Sequence, residues 1–193
     1  MDNAMSLQIS IDLSDSDLQF FVDAAKRAQQ KAANLSEEQI TSAASKVLVE
    51  SAQTSVPEFI RERLGKLESM INMVKDAGWA LSDEDRKRVV QALTYFAEPD
   101  DVIPDNVPVL GFLDDAIMIE LCQRELKPEI DAYEEFVAYR VHEANIRGVN
   151  LSEVKMQKMD WLEARRLELQ ARMRTRRQDS YLSPRGPAMF RVT

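Results

Sequence analysis

The chain has 193 residues, of which 45% are hydrophobic, and a net charge of −8. That suits one domain with a buried core and leaves length for an appendage, and it disfavours nucleic-acid binding by the acidic part, which phosphate repels. A single cysteine, Cys122, excludes an internal disulfide, and five glycines against nine methionines favour helices over a turn-rich β fold. Leu7, Ile9, Ile11 and Leu13 alternate with polar residues, which predicts a short strand or an extended arm. Ser14 to Asp17 reads as a helix start, and the first helix is expected to run to about Ala33 with Leu18, Phe21, Val22 and Ala25 inward. Ser36 and Gln39 form a capping box for a second helix that buries Ile40, Ala43, Ala44, Val47 and Leu48. Pro57 suits the first turn of a third. Its stripe is Phe59, Ile60, Leu64, Leu67, Ile71 and Val74, and Gly78 ends it. Ser82 and Asp85 open a fourth helix with Val89, Val90, Leu93 and Phe96 inward.

Residues 99–115 follow, with three prolines, one glycine and five aspartates among apolar residues. No regular helix or strand tolerates that mixture, so a rigid helix-loop-helix clasp is expected. Ile103, Val107, Val109, Leu110, Phe112 and Leu113 would fill the groove between helices 4 and 5. Pro104 and Pro108 would stiffen the backbone, and Gly111 would take a positive φ or admit a close neighbour. Asp114 or Asp115 opens a fifth helix through Ala116, Ile117, Ile119, Leu121 and Cys122, which makes Cys122 an inert core thiol. Lys127-Pro128 predicts a joint. A sixth helix with Ile130, Tyr133, Phe136, Val137 and Val141 inward follows, ending near Gly148. Ser152 is expected to cap a last long helix reaching about Arg177, and residues 178–193 to be ordered only by a partner. The expected fold is therefore all-α: a bundle of six or seven helices with a short N-terminal arm and a long basic C-terminal helix.

The charge is unevenly distributed. Residues 155–193 hold 10 Lys+Arg against 4 Asp+Glu, a net of +6, which leaves −14 on residues 1–154. This predicts an acidic helical domain over 1–150 and a basic helix and tail over 151–193. No span approaches the ~20 apolar residues that cross a bilayer. The first residues lack a basic region followed by an apolar run, so no secretory signal is expected; with the lone cysteine, a cytoplasmic location is expected.

For chemistry the sequence offers little. There is no Gly-rich phosphate loop, no Cys pair at metal spacing and no nucleophile elbow. His142 is the only histidine and is expected on a helix surface or end. No catalytic or cofactor-binding residue is assigned. Asp100, Asp101, Asp105, Asp114 and Asp115 lie within 16 positions. Aspartates at such places mostly cap and turn. Drawn together, Asp101, Asp105, Asp114 and Asp115 would suit Mg²⁺ or Mn²⁺ in an enzyme or sensor, while their spacing does not match an EF-hand loop. In the last helix Met159, Leu162, Leu169 and Met173 follow a 3-then-4 spacing interrupted by Arg166. Arg165, Arg166, Arg172, Arg174, Arg176 and Arg177, with Trp161, make a basic surface for a larger protein, a ribonucleoprotein or an anionic membrane. Homo-oligomerisation of the tail against an acidic body is a further reading. The preferred function is a non-enzymatic adaptor docking through this helix. The alternatives are a divalent-metal enzyme or sensor, and a peripheral membrane protein using the apolar loop 107–113.

Tyr95-Phe96, residues 99–105, and the run Val107-Pro108-Val109-Leu110-Gly111-Phe112-Leu113-Asp114-Asp115 resemble the signature of the YkvA-like family, a bacterial domain of unknown function. Asp101, Ile103, Pro104, Asp105, Pro108, Gly111, Asp114 and Asp115 fall on its marked positions, and Glu98 stands where the family has Ser. The resemblance covers about residues 88–125. It implies a small helical domain, supplies no reaction, and admits peripheral membrane attachment.

Overall fold

A computed structural model of the chain describes residues 12–97, 107 and 111–182, with side chains as far as residue 175. Among the described residues there are six α-helices and no strand: α1 (Asp15–Lys31), α2 (Glu37–Ala52), α3 (Glu58–Lys75), α4 (Asp83–Leu93), α5 (Leu113–Arg147) and α6 (Lys158–Leu182). Short 3-10 turns occupy Ala32–Asn34, Thr94–Ala97 and Leu151–Glu153. The all-α expectation holds, and the alternating segment at residues 7–13 lies almost wholly outside the described residues.

The N-termini are set by local chemistry. Ser14 accepts from the Asp17 amide while the Asp17 carboxylate takes the Ser14 amide. Ser36 and Gln39 make the same reciprocal pair, and Ser82 accepts from the Asp85 amide at 3.1 Å. Each satisfies amides that have no partner inside the helix.

The contacts divide the chain into two compact units, 1–75 with 81–131, and 76–80 with 132–193. The division at 131/132 does not coincide with the charge break expected at 150/151. In the first unit α2 packs on α3 and α4, α3 on α4, and the turn 94–97 on α1 and α2. Its core includes Phe21, Ile40, Ala44, Ile60, Leu64, Leu67, Ile71, Val74, Val89, Leu93, Phe96, Phe112 and Ile119. Several residues expected inside face outward or sit at the rim: Val22 and Phe59 are exposed, as is Val141 of the second unit, and Leu18, Ala25, Ala43, Val47, Leu48 and Val90 are half-buried, because each lies at the edge of its helix's apolar stripe. Thr41, Met70, Met73 and Met118 take interior places the periodicity did not single out.

The expected joint at Lys127-Pro128 is absent. One helix of 35 residues runs through Pro128. A proline inside a helix loses one hydrogen bond and crowds the carbonyl four residues back, at a cost of about 3 kcal/mol. Here Leu126 and Ile130, either side of it, are both buried, and their packing offsets that cost. The boundary between the units falls three residues after Pro128. The helix ends as expected at Gly148, whose φ of +63° carries a Schellman turn: the Gly148 amide reaches Asn145 and the Val149 amide reaches Ala144.

In the second unit the core is aromatic. Trp79 lies 5.5 Å from Tyr133, 5.3 Å from Phe136 and 5.8 Å from Trp161, centroid to centroid. Asp76 organises the turn that delivers Trp79. Its Oδ1 accepts from the Gly78 amide at 2.8 Å, and its Oδ2 accepts from Arg140 at 2.6 Å and from the Tyr133 hydroxyl at 3.3 Å. α3 has already ended at Lys75, so Gly78 is not its cap. A Cβ at Gly78 would sit 2.7 Å from the Met156 carbonyl oxygen, so this close approach is what requires glycine. The Gly78 carbonyl accepts from the Lys158 amide at 2.8 Å, and the Lys158 ammonium lies 4.1 Å from the Trp79 ring centroid.

α6 begins six residues later than Ser152. Gln157 is its cap residue, donating its amide to Asp160 at 2.9 Å, while Ser152 lies inside the 3-10 turn that Glu153 closes on Asn150. Met156 and Trp161, both buried, stand at the two positions of a hydrophobic staple, which fixes the angle at which the chain enters the helix.

Candidate functional site

Two regions were singled out by sequence: the aspartates around the start of α5 and the arginines of α6. Asp100, Asp101, Pro104, Asp105 and Pro108 lie outside the described residues. Asp114 and Asp115 are 2% and 5% exposed in the first turn of α5. There they answer the partial positive charge of the helix N-terminus. Among the described residues no group of three or more His, Cys, Asp or Glu side chains stands at metal-binding geometry.

The apolar run 107–113 is turned inward where it is described. Gly111 and Phe112 are buried and Val107 and Leu113 half-buried, so these residues do not form the exposed tongue one reading required. The Gly111 amide donates to the Val107 carbonyl at 2.8 Å. A left-handed backbone occurs one residue beyond Gly111, at Phe112 (φ +64°). That conformation costs a non-glycine residue roughly 1–2 kcal/mol, and it places the 1%-exposed Phe112 ring in the core.

Cys122 is half-buried beside a groove lined by Phe21 and Ala25 of α1, Arg88 of α4 and Met118 of α5. Burial, then the charge of Glu125, pushes its thiol up to about 12. The thiolate is the reactive form, so burial and the Glu125 charge both work against reactivity at Cys122. His142 is exposed on α5, as expected.

α6 presents two faces. One packs inside its unit. Trp161, read from the sequence as a partner contact, is 6% exposed between Trp79 and Phe136, because its helical position places it on the stripe that faces the aromatic cluster. Arg165 is drawn to the same side, donating to Glu135 at 2.6 Å and to Glu168 at 2.9 Å. Hydrogen bonds to these two carboxylates raise the affinity of Arg165 for its proton. Arg166 donates to Glu163 at 2.8 Å, and Arg172 pairs with Glu168. The hydrogen bond from Arg165, then the charge of Arg172, holds the Glu168 carboxyl below its ordinary range. Arg174 is exposed, and the side chains of Arg176 and Arg177 lie outside the described residues.

The other face is apolar and open to solvent. Met159 is 71% exposed, Leu162 42%, Leu169 58% and Met173 54%. With Arg166 they stand at positions i, i+3, i+7, i+10 and i+14, an a/d seam of two heptads. The sequence reading noticed the spacing but could not say whether it faced a core.

The network of Asp76, Tyr133 and Arg140 escaped sequence reading. The Asp-Ala-Gly turn signal at 76–78 was available, but the partner 64 positions away was not. Burial, then the Asp76 charge, pushes the Tyr133 hydroxyl up to about 12.

Among the described residues no helix is long and apolar enough to cross a membrane. No curated protein and no solved structure matches the chain. Residues 87–121 match the model of a family described as a protein of unknown function, DUF1232, which is the YkvA-like family. The match runs from within α4 to within α5 and leaves α6 outside it. Residues 87–121, from within α4 to within α5, are thus similar to the YkvA-like family of unknown function, and the match extends to no other part of the chain.

Proposed function

We propose that the protein is a non-enzymatic docking protein, and that α6 receives a helix of a partner protein along the seam Met159-Leu162-Arg166-Leu169-Met173. The observation that carries this reading is the exposure of those four apolar side chains on a helix whose opposite face is already anchored by Trp161. A pre-ordered helix loses little entropy on docking.

One feature favours a protein partner over a membrane surface. The apolar stripe is the narrow a/d kind, whereas a helix lying in a membrane interface needs a broader apolar face.

The test compares complexes isolated with the full-length chain and with Leu162→Ser/Leu169→Ser. A stoichiometric protein partner recovered with the first and lost with the second supports the reading. Because both side chains are exposed, the double variant is expected to keep its stability to within about 0.5 kcal/mol by thermal melting. A partner retained by the double variant, or binding to RNA or phosphatidylglycerol vesicles that survives it and disappears with Arg172→Gln/Arg174→Gln, would overturn the reading.

A further inference from the structure

We infer that the α6 seam selects an acidic partner helix and rejects a second copy of itself, with Arg166 as the selecting residue. The inference rests on the docking reading above and concerns the partner's chemistry. Arg166 occupies the middle a position of the seam, with Leu162 and Leu169 on either side along the stripe. Its side chain is 63% exposed and, among the described residues, is held by Glu163 in an i,i+3 surface pair. Such pairs are weak and exchange readily.

Pairing α6 with another α6 meets repulsion in each arrangement that keeps the seam together. In a parallel pair Arg166 faces Arg166 of the other copy. In an antiparallel pair that sets Leu162 against Arg166, the flanking positions bring Arg165 against Arg165 and Glu163 against Glu163. Shifting the antiparallel register by one heptad brings Arg165 against Arg172. A charged a position and the flanking e and g charges are the features that set partner choice in helix pairs.

A helix with apolar a and d residues, a glutamate opposite Arg166 and acidic residues only along the edge that faces Arg165 and Arg172 meets none of these conflicts. Its carboxylate takes the guanidinium in a charge-assisted pair between two apolar layers, where water is partly excluded. Its acidic edge meets Arg165 and Arg172, and its other, uncharged edge lies along Glu163.

The experiment uses the full-length chain and three synthetic three-heptad peptides with leucine at the seam. One carries glutamate opposite Arg166 and along the edge facing Arg165 and Arg172, one lysine at the same places, and one leucine opposite Arg166 with glutamate along that edge. Binding is followed by fluorescence anisotropy and self-association by sedimentation velocity. The acidic peptide is expected to bind roughly tenfold or more tighter than the lysine peptide. The chain alone is expected to sediment as a monomer. Arg166→Leu should begin to self-associate and should reverse the preference between glutamate and leucine opposite position 166. Equal binding of acidic and lysine peptides, or self-association of the unaltered chain matching that of Arg166→Leu, overturns the selection while leaving docking intact. Binding of no peptide by either chain overturns the docking reading and the selection with it.

Discussion

The start of α5 and the outer face of α6 are the two places where this chain concentrates unusual residues, and the fold treats them oppositely. At α5, Asp114 and Asp115 are buried in the first turn beside the inward Phe112. At α6, Leu162, Leu169 and the two methionines stay in solvent although their helix is packed on its other side. Polar residues hidden and apolar residues shown both run against the hydrophobic effect. The first is compensated by the helix N-terminus, which favours carboxylates. Among the described residues the second meets no such compensation, and this supports the proposal that docking takes place at α6.

The contrast can be broken by substitution. The largest effect is expected at the inner face of α6. Trp161→Ala removes the ring between Trp79 and Phe136 and should cost about 3–5 kcal/mol, read by thermal or denaturant unfolding with Tyr133 fluorescence or near-UV dichroism as the local probe. Stability left intact would mean that Trp161 belongs to a docking surface after all. Next is Asp114→Ala, expected to cost roughly 1–3 kcal/mol through loss of a buried polar group at a helix start. An unchanged midpoint would return the aspartates to the list of candidate sites.

The smallest effect is an alkaline limb. Cys122 and Tyr133 both hold their protons in the folded state up to about 12, against ordinary values of about 8.5 and 10. Above pH 9 the unfolded chain therefore binds fewer protons than the folded one, and stability falls with rising pH until the folded values are reached. A loss on the order of 1 kcal/mol by pH 10 is expected, mainly from Cys122. Cys122→Ala should flatten the slope between pH 9 and 10, and Tyr133→Phe the slope above pH 10. A stability that does not change between pH 8 and 10.5 would contradict the burial of the thiol.

Helix starts were legible because their determinants are local. Ser14, Ser36 and Ser82 each meet a partner three residues on, and Gly148 carries its own left-handed turn. Ser152 misled because Asn150 and Gln157, neighbours with equal local claims, divide the same stretch between a 3-10 turn and the start of α6. Pro128 misled for a different reason: a local penalty of about 3 kcal/mol is outweighed by burial of Leu126 and Ile130, which no local rule contains. Of the candidate site, the spacing of Met159, Leu162, Leu169 and Met173 and the crowding of arginines were visible, whereas the pairing of Arg165 with Glu135, 30 positions away, was not.

The amino-acid sequence by itself thus determined the capping of α1, α2 and α4 and the end of α5, since each depends on hydrogen bonds or steric limits within a few residues, and the helical class through composition and apolar periodicity. Only the tertiary structure decided that α5 runs unbroken, that Trp161 is core and that the methionine-leucine stripe of α6 is surface. A helix has two sides with similar periodicities to offer, and which of them is buried depends on residues such as Trp79 and Phe136 that lie far away along the chain.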